Sequence, residues 1–179
     1  MSINNLLSKK RNNIIDKAFD LIISTYPEES RIFLKDKSNR FSNPIGYQTH
    51  QTIQQIIDNI IRDEEPESFL LSLENIIQIR AVQDFTPSQA IGFIFLIKKV
   101  IYTELYKEAN SDELMDLMSR IDSLALVGFD IFMKYRERLY DIKAKELIDR
   151  TWWLLKKWNI VSEIGENSLE PKIKNFKER

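Results

Sequence analysis

Residues 80–97 read Arg-Ala-Val-Gln-Asp-Phe-Thr-Pro-Ser-Gln-Ala-Ile-Gly-Phe-Ile-Phe-Leu-Ile. Within this stretch, Thr86 is a typical helix N-cap, and Pro87 suits the first helical position, where a missing N–H breaks no hydrogen bond. Gln89, three residues after the cap, completes a capping box. Every residue from 90 to 97 is apolar or glycine. Because a helix without a polar face has no side to give to water, the stretch predicts a buried helix at the centre of the domain.

Helical periodicity extends along most of the chain. Apolar residues recur at spacings of three and four, and the 179 residues include only four glycines and five prolines. This composition favours helices over a β fold rich in turns. Asn43 and Pro44 repeat the signal of a cap followed by proline. We therefore predict an all-α fold of six to seven helices, with the central helix running from Pro87 to about Lys107.

For two other predicted helices, the sequence indicates which residues face the core. A short helix over residues 28–37 is expected to turn Ile32, Phe33 and Leu34 towards the core. The last and longest helix begins near Glu113, and its continuous inward face includes Phe129. Farther along this helix the apolar pattern thins between many charges, which is typical of a helix that leaves its domain.

The residue inventory argues against an enzyme. With no cysteine and one histidine, the chain lacks the groups for a thiolate zinc site, a Ser-His triad or a di-metal centre with two histidines. The four glycines are isolated, so there is no glycine-rich phosphate loop. We predict a protein without catalytic activity, metal or cofactor.

Charge and hydropathy limit the partners. The net charge of −1 gives no indication of nucleic-acid binding, although residues 134–179 carry 12 basic against 8 acidic side chains. The longest run of apolar residues and glycine has eight members, too few to span a bilayer. The N-terminal residues do not resemble a signal peptide, so we expect a cytoplasmic protein without a transmembrane segment.

The corner before the central helix is the first candidate site. Arg80, Gln83, Asp84 and Phe85 lie between two predicted helices, where buried polar groups need partners. The functional interpretation is a corner that binds a ligand or senses a signal. The structural interpretation is a corner in which Arg80 pairs with Asp84 or with exposed helix carbonyls.

Trp152, Trp153 and Trp158 form a second candidate site with the two lysines at positions 156 and 157. One interpretation is a helix that docks a protein partner. Another is a helix at a membrane interface, where tryptophan and lysine are both favoured. The third is packing onto the protein itself or onto a dimer mate.

His50 is the third candidate. It lies on the apolar stripe of its predicted helix, three residues before Ile53. It is either an axial haem ligand in a helical pocket or a histidine at the edge of the core whose nitrogens find ordinary hydrogen bonds.

Several segments resemble the RsbR/RsbRD N-terminal domain family. The most distinctive is Ile-Arg-Ala-Val-Gln-Asp-Phe-Thr-Pro-Ser-Gln-Ala at residues 79–90, and the resemblance covers roughly residues 5–145. The other matching segments are residues 26–28, 40–46, 121–126, 129–130 and 136–140. The resemblance implies a globin-like helical fold that lacks haem and is usually dimeric. It also implies a sensory role in stressosomes, in which the last helix leads into a STAS domain carrying the phosphorylated threonines.

We therefore expect two regions. Residues 1–145 form a globin-fold sensor domain, and residues 146–179 form a helix extension and a mobile tail, without a STAS domain. The expected function is a stand-alone, non-enzymatic sensor or regulatory module for stress signal transduction. It acts as a homodimer and reaches an unknown protein partner through its C-terminal helix. The alternatives are a peripheral adaptor of a membrane complex and a small-molecule or haem-binding protein. The sequence does not name the signal, the partner or the pathway.

Overall fold

A computed structural model describes residues 2–37, 40–83 and 85–158. These residues form α-helices and one 3₁₀ turn and include no strand, which confirms the predicted all-α fold. The predicted tail, from about residue 162 onwards, lies outside the described residues, and so does Asp84. The elements are α1 (Ile3–Ile23), α2 (Glu28–Leu34), α3 (Pro44–Ile61), the 3₁₀ turn (Pro66–Phe69), α4 (Leu70–Val82), α5 (Pro87–Ile91), α6 (Phe93–Leu105) and α7 (Ser111–Lys157).

The chain divides into two compact units, Met1–Glu137 and Arg138–Arg179. The first contains α1 to α6 and the beginning of α7, and the second contains the rest of α7. This division falls eight residues before the expected end of the sensor domain at residue 145. The assignment of residues 1–145 as that domain remains a prediction.

The core of the first unit lies where α1 packs against both α3 and α6, and where α4 packs against α3. Apolar residues of α1 at spacings of three and four form its buried face, as a helix half-covered by neighbours requires. Helices α3, α4 and α6 contribute mainly isoleucine and leucine side chains to the hydrophobic core. The fully buried members on α1, α3, α4 and α6 include Leu7, Ile14, Ile22, Ile53, Ile57, Leu73, Ile77 and Ile101.

Asn43 fixes the start of α3, as its position before Pro44 predicted. Its Oδ1 accepts the backbone N–H of Gly46 at 2.9 Å, and its Nδ2 donates to the carbonyl oxygen of Phe33, also at 2.9 Å. Asn43 is fully buried, so these bonds satisfy an amide that water cannot reach. Gly46 is required here because a Cβ at this position would overlap the carbonyl oxygen of Leu34. The cap therefore holds α2 and α3 together.

The prediction of one continuous central helix is wrong. It is broken at Gly92 into α5 and α6, and the 21-residue span expected from Pro87 to Lys107 ends at Leu105. A Cβ on Gly92 would lie 2.9 Å from the carbonyl oxygen of Ser88, so the chain bends more tightly there than a side chain allows. Phe95 is half exposed, so α6 is not buried on every side.

Two predictions of which residues face the core are also wrong in part. The helix predicted over residues 28–37 ends at Leu34, and Ile32 and Phe33 are exposed while Leu34 alone is buried. A helix of seven residues has fewer than two turns, so few of its side chains can face the core at once. On α7, Phe129 is 46% exposed because it lies to one side of the buried face.

Candidate functional site

Arg80 lies in the last turn of α4 and is fully buried. Its Nη1 donates to the carbonyl oxygen of Gln89 in α5, at 3.0 Å. This bond confirms one part of the structural interpretation of the corner, in which Arg80 pairs with a helix carbonyl. The side chain thus joins the end of α4 to the helix that follows it.

Three aromatic rings surround the Arg80 guanidinium. Its Cζ lies 5.3 Å from the ring centre of Tyr26, 5.1 Å from that of Phe85 and 5.3 Å from that of Phe93. Each contact of this kind stabilises a cation by about 0.5–2 kcal/mol. Tyr26 and Phe85 also contact each other edge to face, with centres 5.4 Å apart. We call the cluster of Arg80, Tyr26, Gln83, Phe85 and Phe93 the Arg80 corner.

Hydrogen bonding in the Arg80 corner is incomplete among the described residues, which do not include Asp84. Among the described residues, Nε and Nη2 of Arg80, the hydroxyl of Tyr26 and Oε1 of Gln83 are buried without a partner. Burial lowers the pKa of Arg80, and the neighbouring Tyr26 opposes this effect. Because a guanidinium gives up its proton only at strongly alkaline pH, Arg80 remains charged at neutral pH. The corner therefore holds a charge whose hydrogen-bonding capacity is only partly used.

The helices that carry Arg80 and Phe93 pack against α7. Arg136 Nη1 donates to the carbonyl oxygen of Ala81, the residue after Arg80, at 3.3 Å. Gly128 lets the helices approach closely: a Cβ there would lie 3.1 Å from Ile94 Cδ1 and 3.3 Å from Ile77 Cδ1. These contacts belong to α6 and α4, the two helices that carry Phe93 and Arg80. The helices on which the corner is built thus contact α7.

The capping box predicted at Thr86 is present. The Thr86 backbone N–H donates to Oε1 of Gln89 at 2.9 Å, and the Thr86 hydroxyl oxygen accepts the Gln89 backbone N–H at 3.3 Å. Gln89 thus takes part in the cap of α5 with its side chain, and its backbone carbonyl oxygen accepts the hydrogen bond from Arg80. The cap positions one wall of the Arg80 corner.

Sequence reasoning found part of the corner. The structure brings together Arg80 and Phe85 and buries the side-chain oxygen of Gln83, whereas Asp84 lies outside the described residues. Tyr26 and Phe93 were missed. Tyr26 comes from the segment between α1 and α2, and only three-dimensional packing brings it to Arg80. Phe93 was hidden within an apolar run in which no residue stands out.

The three tryptophans of the second candidate site are exposed by 42% at Trp152, 59% at Trp153 and 64% at Trp158. Lys157 Nζ lies 4.9 Å from the ring centre of Trp153, within cation–π range. Side chains that share one side of a helix recur at spacings of three and four. By this spacing a broad apolar face excludes Trp153 and consists of Leu147, Ile148, Thr151, Trp152, Leu154, Leu155 and Trp158. We call it the C-terminal face.

His50 lies on α3 and is partly buried. Its ring contacts Phe19 of α1 edge to face, with centres 5.4 Å apart. Burial lowers the pKa of His50, and the nearby Lys37 lowers it further. A neutral imidazole packed on an aromatic ring is consistent with a histidine at the edge of the core. The role of His50 in haem binding remains a prediction.

The described residues contain no group of three or more acidic or histidine side chains that could hold a metal ion. Over the same residues, no helix is both long and apolar enough to cross a membrane. The first unit is thus an all-α domain with a buried arginine at one helix corner, and the second unit carries the exposed C-terminal face.

Comparison with known proteins identifies the family. The sequence profile described as the RsbT co-antagonist protein rsbRD N-terminal domain matches residues 12–147. Searches of curated proteins and of solved structures found no match. Because the match covers more than half of the chain, the chain belongs to this family. The resemblance inferred from its sequence segments is thereby confirmed.

Proposed function

We propose that the chain is a non-enzymatic sensor and regulatory module of the stressosome type, which works as a homodimer in the cytoplasm. Membership of the rsbRD N-terminal domain family supports the regulatory role. The observation that carries the proposal is the Arg80 corner, in which a buried charge keeps donors that no described residue accepts, while Arg136 of α7 donates to the adjacent Ala81 carbonyl oxygen. The corner receives the signal, and α7 transmits it.

The proposed mechanism is a shift between two packings of the dimer. An input changes the arrangement of the Arg80 corner, and the hydrogen bond from Arg136 to Ala81 passes that change to α7. A signal can shift such an equilibrium only as far as it favours one packing over the other. The incomplete hydrogen bonding of Arg80 makes two arrangements of similar energy attainable, because either can satisfy some donors and leave others unpaired.

Exposed apolar side chains on α7 support dimerisation. Within the first unit, Leu126, Phe129 and Met133 are exposed at a helical spacing of three and four. Within the second unit, Leu147 and Leu154 are exposed seven residues apart, the repeat that brings two helices together in a coiled coil. A second copy of α7 covers both sets without requiring any other chain.

The width of the C-terminal face supports a further protein partner. A two-stranded seam needs two apolar residues in seven, whereas this face offers three or more. Helices with faces of this width occur in bundles, where each contacts two neighbours. A second copy of α7 covers one side of the face, and an amphipathic helix of the downstream protein covers the other.

A membrane adaptor is the second candidate. The favouring observation is the exposure of three tryptophans beside Lys156 and Lys157, a combination typical of helices at membrane interfaces. Flotation with vesicles that contain phosphatidylglycerol tests it. Binding that is lost when Trp152 and Trp158 are both changed to serine supports the adaptor, and absence of flotation excludes it.

The homodimer is tested by sedimentation equilibrium of the full chain at micromolar concentration. Leu147→Gln/Leu154→Gln removes two apolar contacts from the C-terminal face. Asp149→Gln/Lys156→Gln is the matched control, with the same new residues and spacing on the polar side of the helix. We expect a dimer for the unchanged chain and the control, and dissociation at least about tenfold easier for the leucine pair. A monomeric unchanged chain, or equal effects of both pairs, contradicts the proposal.

A further inference from the structure

A cavity of about 70 Å³ lies between the end of α3, the 3₁₀ turn and the first third of α7. Its walls are five apolar side chains that are themselves buried: Ile60, Phe69, Leu117, Ile121 and Leu124. None of them belongs to the Arg80 corner. Glu64, Arg120 and Ser123 complete the lining, so the cavity is mainly but not wholly apolar.

Charged groups at the mouth of the cavity are paired with one another. Arg120 donates from Nη1 to the Asp63 carboxylate and from Nη2 to the Glu64 carbonyl oxygen, the latter at 3.2 Å. The Glu64 carboxylate lies 3.6 Å from Arg62 Nη1. Two members of these pairs, Glu64 and Arg120, line the cavity, and an ionic ligand would have to break one of the pairs.

The mouth is also a tight turn. Asp63 has a φ of 59°, in the left-handed region that few side chains other than asparagine and aspartate adopt. Arg120 of α7 holds both Asp63 and the next residue, so the turn after α3 is fastened to α7 beside the cavity. A molecule that enters contacts α3 and α7 at the point where they are joined.

We propose that this cavity is a binding site for a small, uncharged, mainly apolar molecule of about three to five heavy atoms. The size follows from volume, since an apolar cavity of about 150 Å³ accepts benzene or xenon and this one has about half that volume. The absence of charge in the ligand follows from the paired mouth, and its apolar character from the walls. The site is separate from the Arg80 corner, and its test does not depend on dimerisation.

Xenon and 1-propanol are suitable probes, and the readout is methyl NMR of the full chain with labelled isoleucine. We expect saturable shifts of the Ile60 and Ile121 methyl groups, and none at Ile14, which lies on α1. Propionate, the charged counterpart of 1-propanol, is expected to bind at least about tenfold more weakly, because burial of a carboxylate without a partner is costly. Equal binding of propionate and 1-propanol contradicts the proposed ligand class, and absence of any saturable shift contradicts the site.

Leu124→Phe fills the cavity and is expected to abolish the saturable shifts. Leu71→Phe is the matched control, because it makes the same change at a side chain of α4 that is 76% exposed and does not line the cavity. Leu117→Phe fills the cavity from two turns earlier and replaces Leu124→Phe if that variant does not fold. Shifts that persist in a folded, filled variant place the probe elsewhere and overturn the proposal.

Discussion

At the Arg80 corner a charged side chain is fully buried among aromatic rings, whereas from residue 147 to residue 158 large apolar side chains face water. Both regions depart from the usual distribution of polarity, and they do so in opposite directions. The buried charge is held within one chain, by the Gln89 carbonyl and three rings. The exposed apolar face has no comparable cover within the described residues. The first region therefore contributes to the stability of a single chain, and the second is suited to association with another molecule.

Substitution of Arg80 gives the largest expected effect. Arg80→Ala removes the Gln89 hydrogen bond and the ring contacts and leaves a cavity, so it should lower the free energy of unfolding by about 3–5 kcal/mol. Arg80→Met keeps most of the volume and removes the unpaired donors, so it should cost about 1 kcal/mol or less. Chemical denaturation of both variants measures the difference. An equal loss in the two contradicts our description of a charge with incomplete hydrogen bonding.

Loss of the cap at Thr86 has a medium effect. Thr86→Ala removes the hydroxyl oxygen that accepts the Gln89 backbone N–H, one of the two bonds of the capping box beside the Arg80 corner, and should cost about 1 kcal/mol. Thr103→Ala is the control, because Thr103 is exposed within α6 and its hydroxyl only donates to the preceding turn. Thermal unfolding of the pair tests the prediction, which fails if the control is destabilised as much as Thr86→Ala.

The exposed tryptophans give the smallest expected effect on folding. Trp152→Ser/Trp153→Ser should change the free energy of unfolding of the first unit by about 0.5 kcal/mol or less, because both side chains are exposed in the second unit. Denaturation followed by the fluorescence of an extrinsic dye avoids dependence on tryptophan itself. A loss comparable with that of Arg80→Ala shows that the tryptophans pack on the first unit, which removes the contrast between the two regions.

Local features of the fold were predictable from the sequence. The caps at Asn43 and Thr86 follow from neighbouring residues whose side chains reach the adjacent backbone, so spacing alone identified them. The break at Gly92 was missed because the apolar pattern continues through it. The prediction that Ile32 is buried failed for a different reason. Hydrophobicity indicates which residues can be buried, but the elements that pack against α2 decide which residues are buried.

The candidate site was predictable only in part. Arg80 and Phe85 are close in sequence, and their helix corner could be recognised from the proline and cap that follow. Tyr26 and Phe93 complete the ring of aromatic contacts, and the arrival of Tyr26 depends on how α1 packs against the rest of the core. The cavity beside Arg120 is equally a product of packing, since its walls come from three separate elements.

The most direct test of the proposed coupling is the distance between the two copies of α7, measured by pulsed electron paramagnetic resonance. The chain has no cysteine, so Glu146→Cys on the polar side of α7 provides a single site for a spin label. We compare this labelled chain with the same chain carrying Arg80→Met, and use Thr103→Ala as the control background. The account predicts one dominant distance between copies in the unchanged background and the control, and a second, populated distance with Arg80→Met. Identical distance distributions in all three backgrounds, or no dipolar signal between copies, contradict the claim that the Arg80 corner controls the packing of α7.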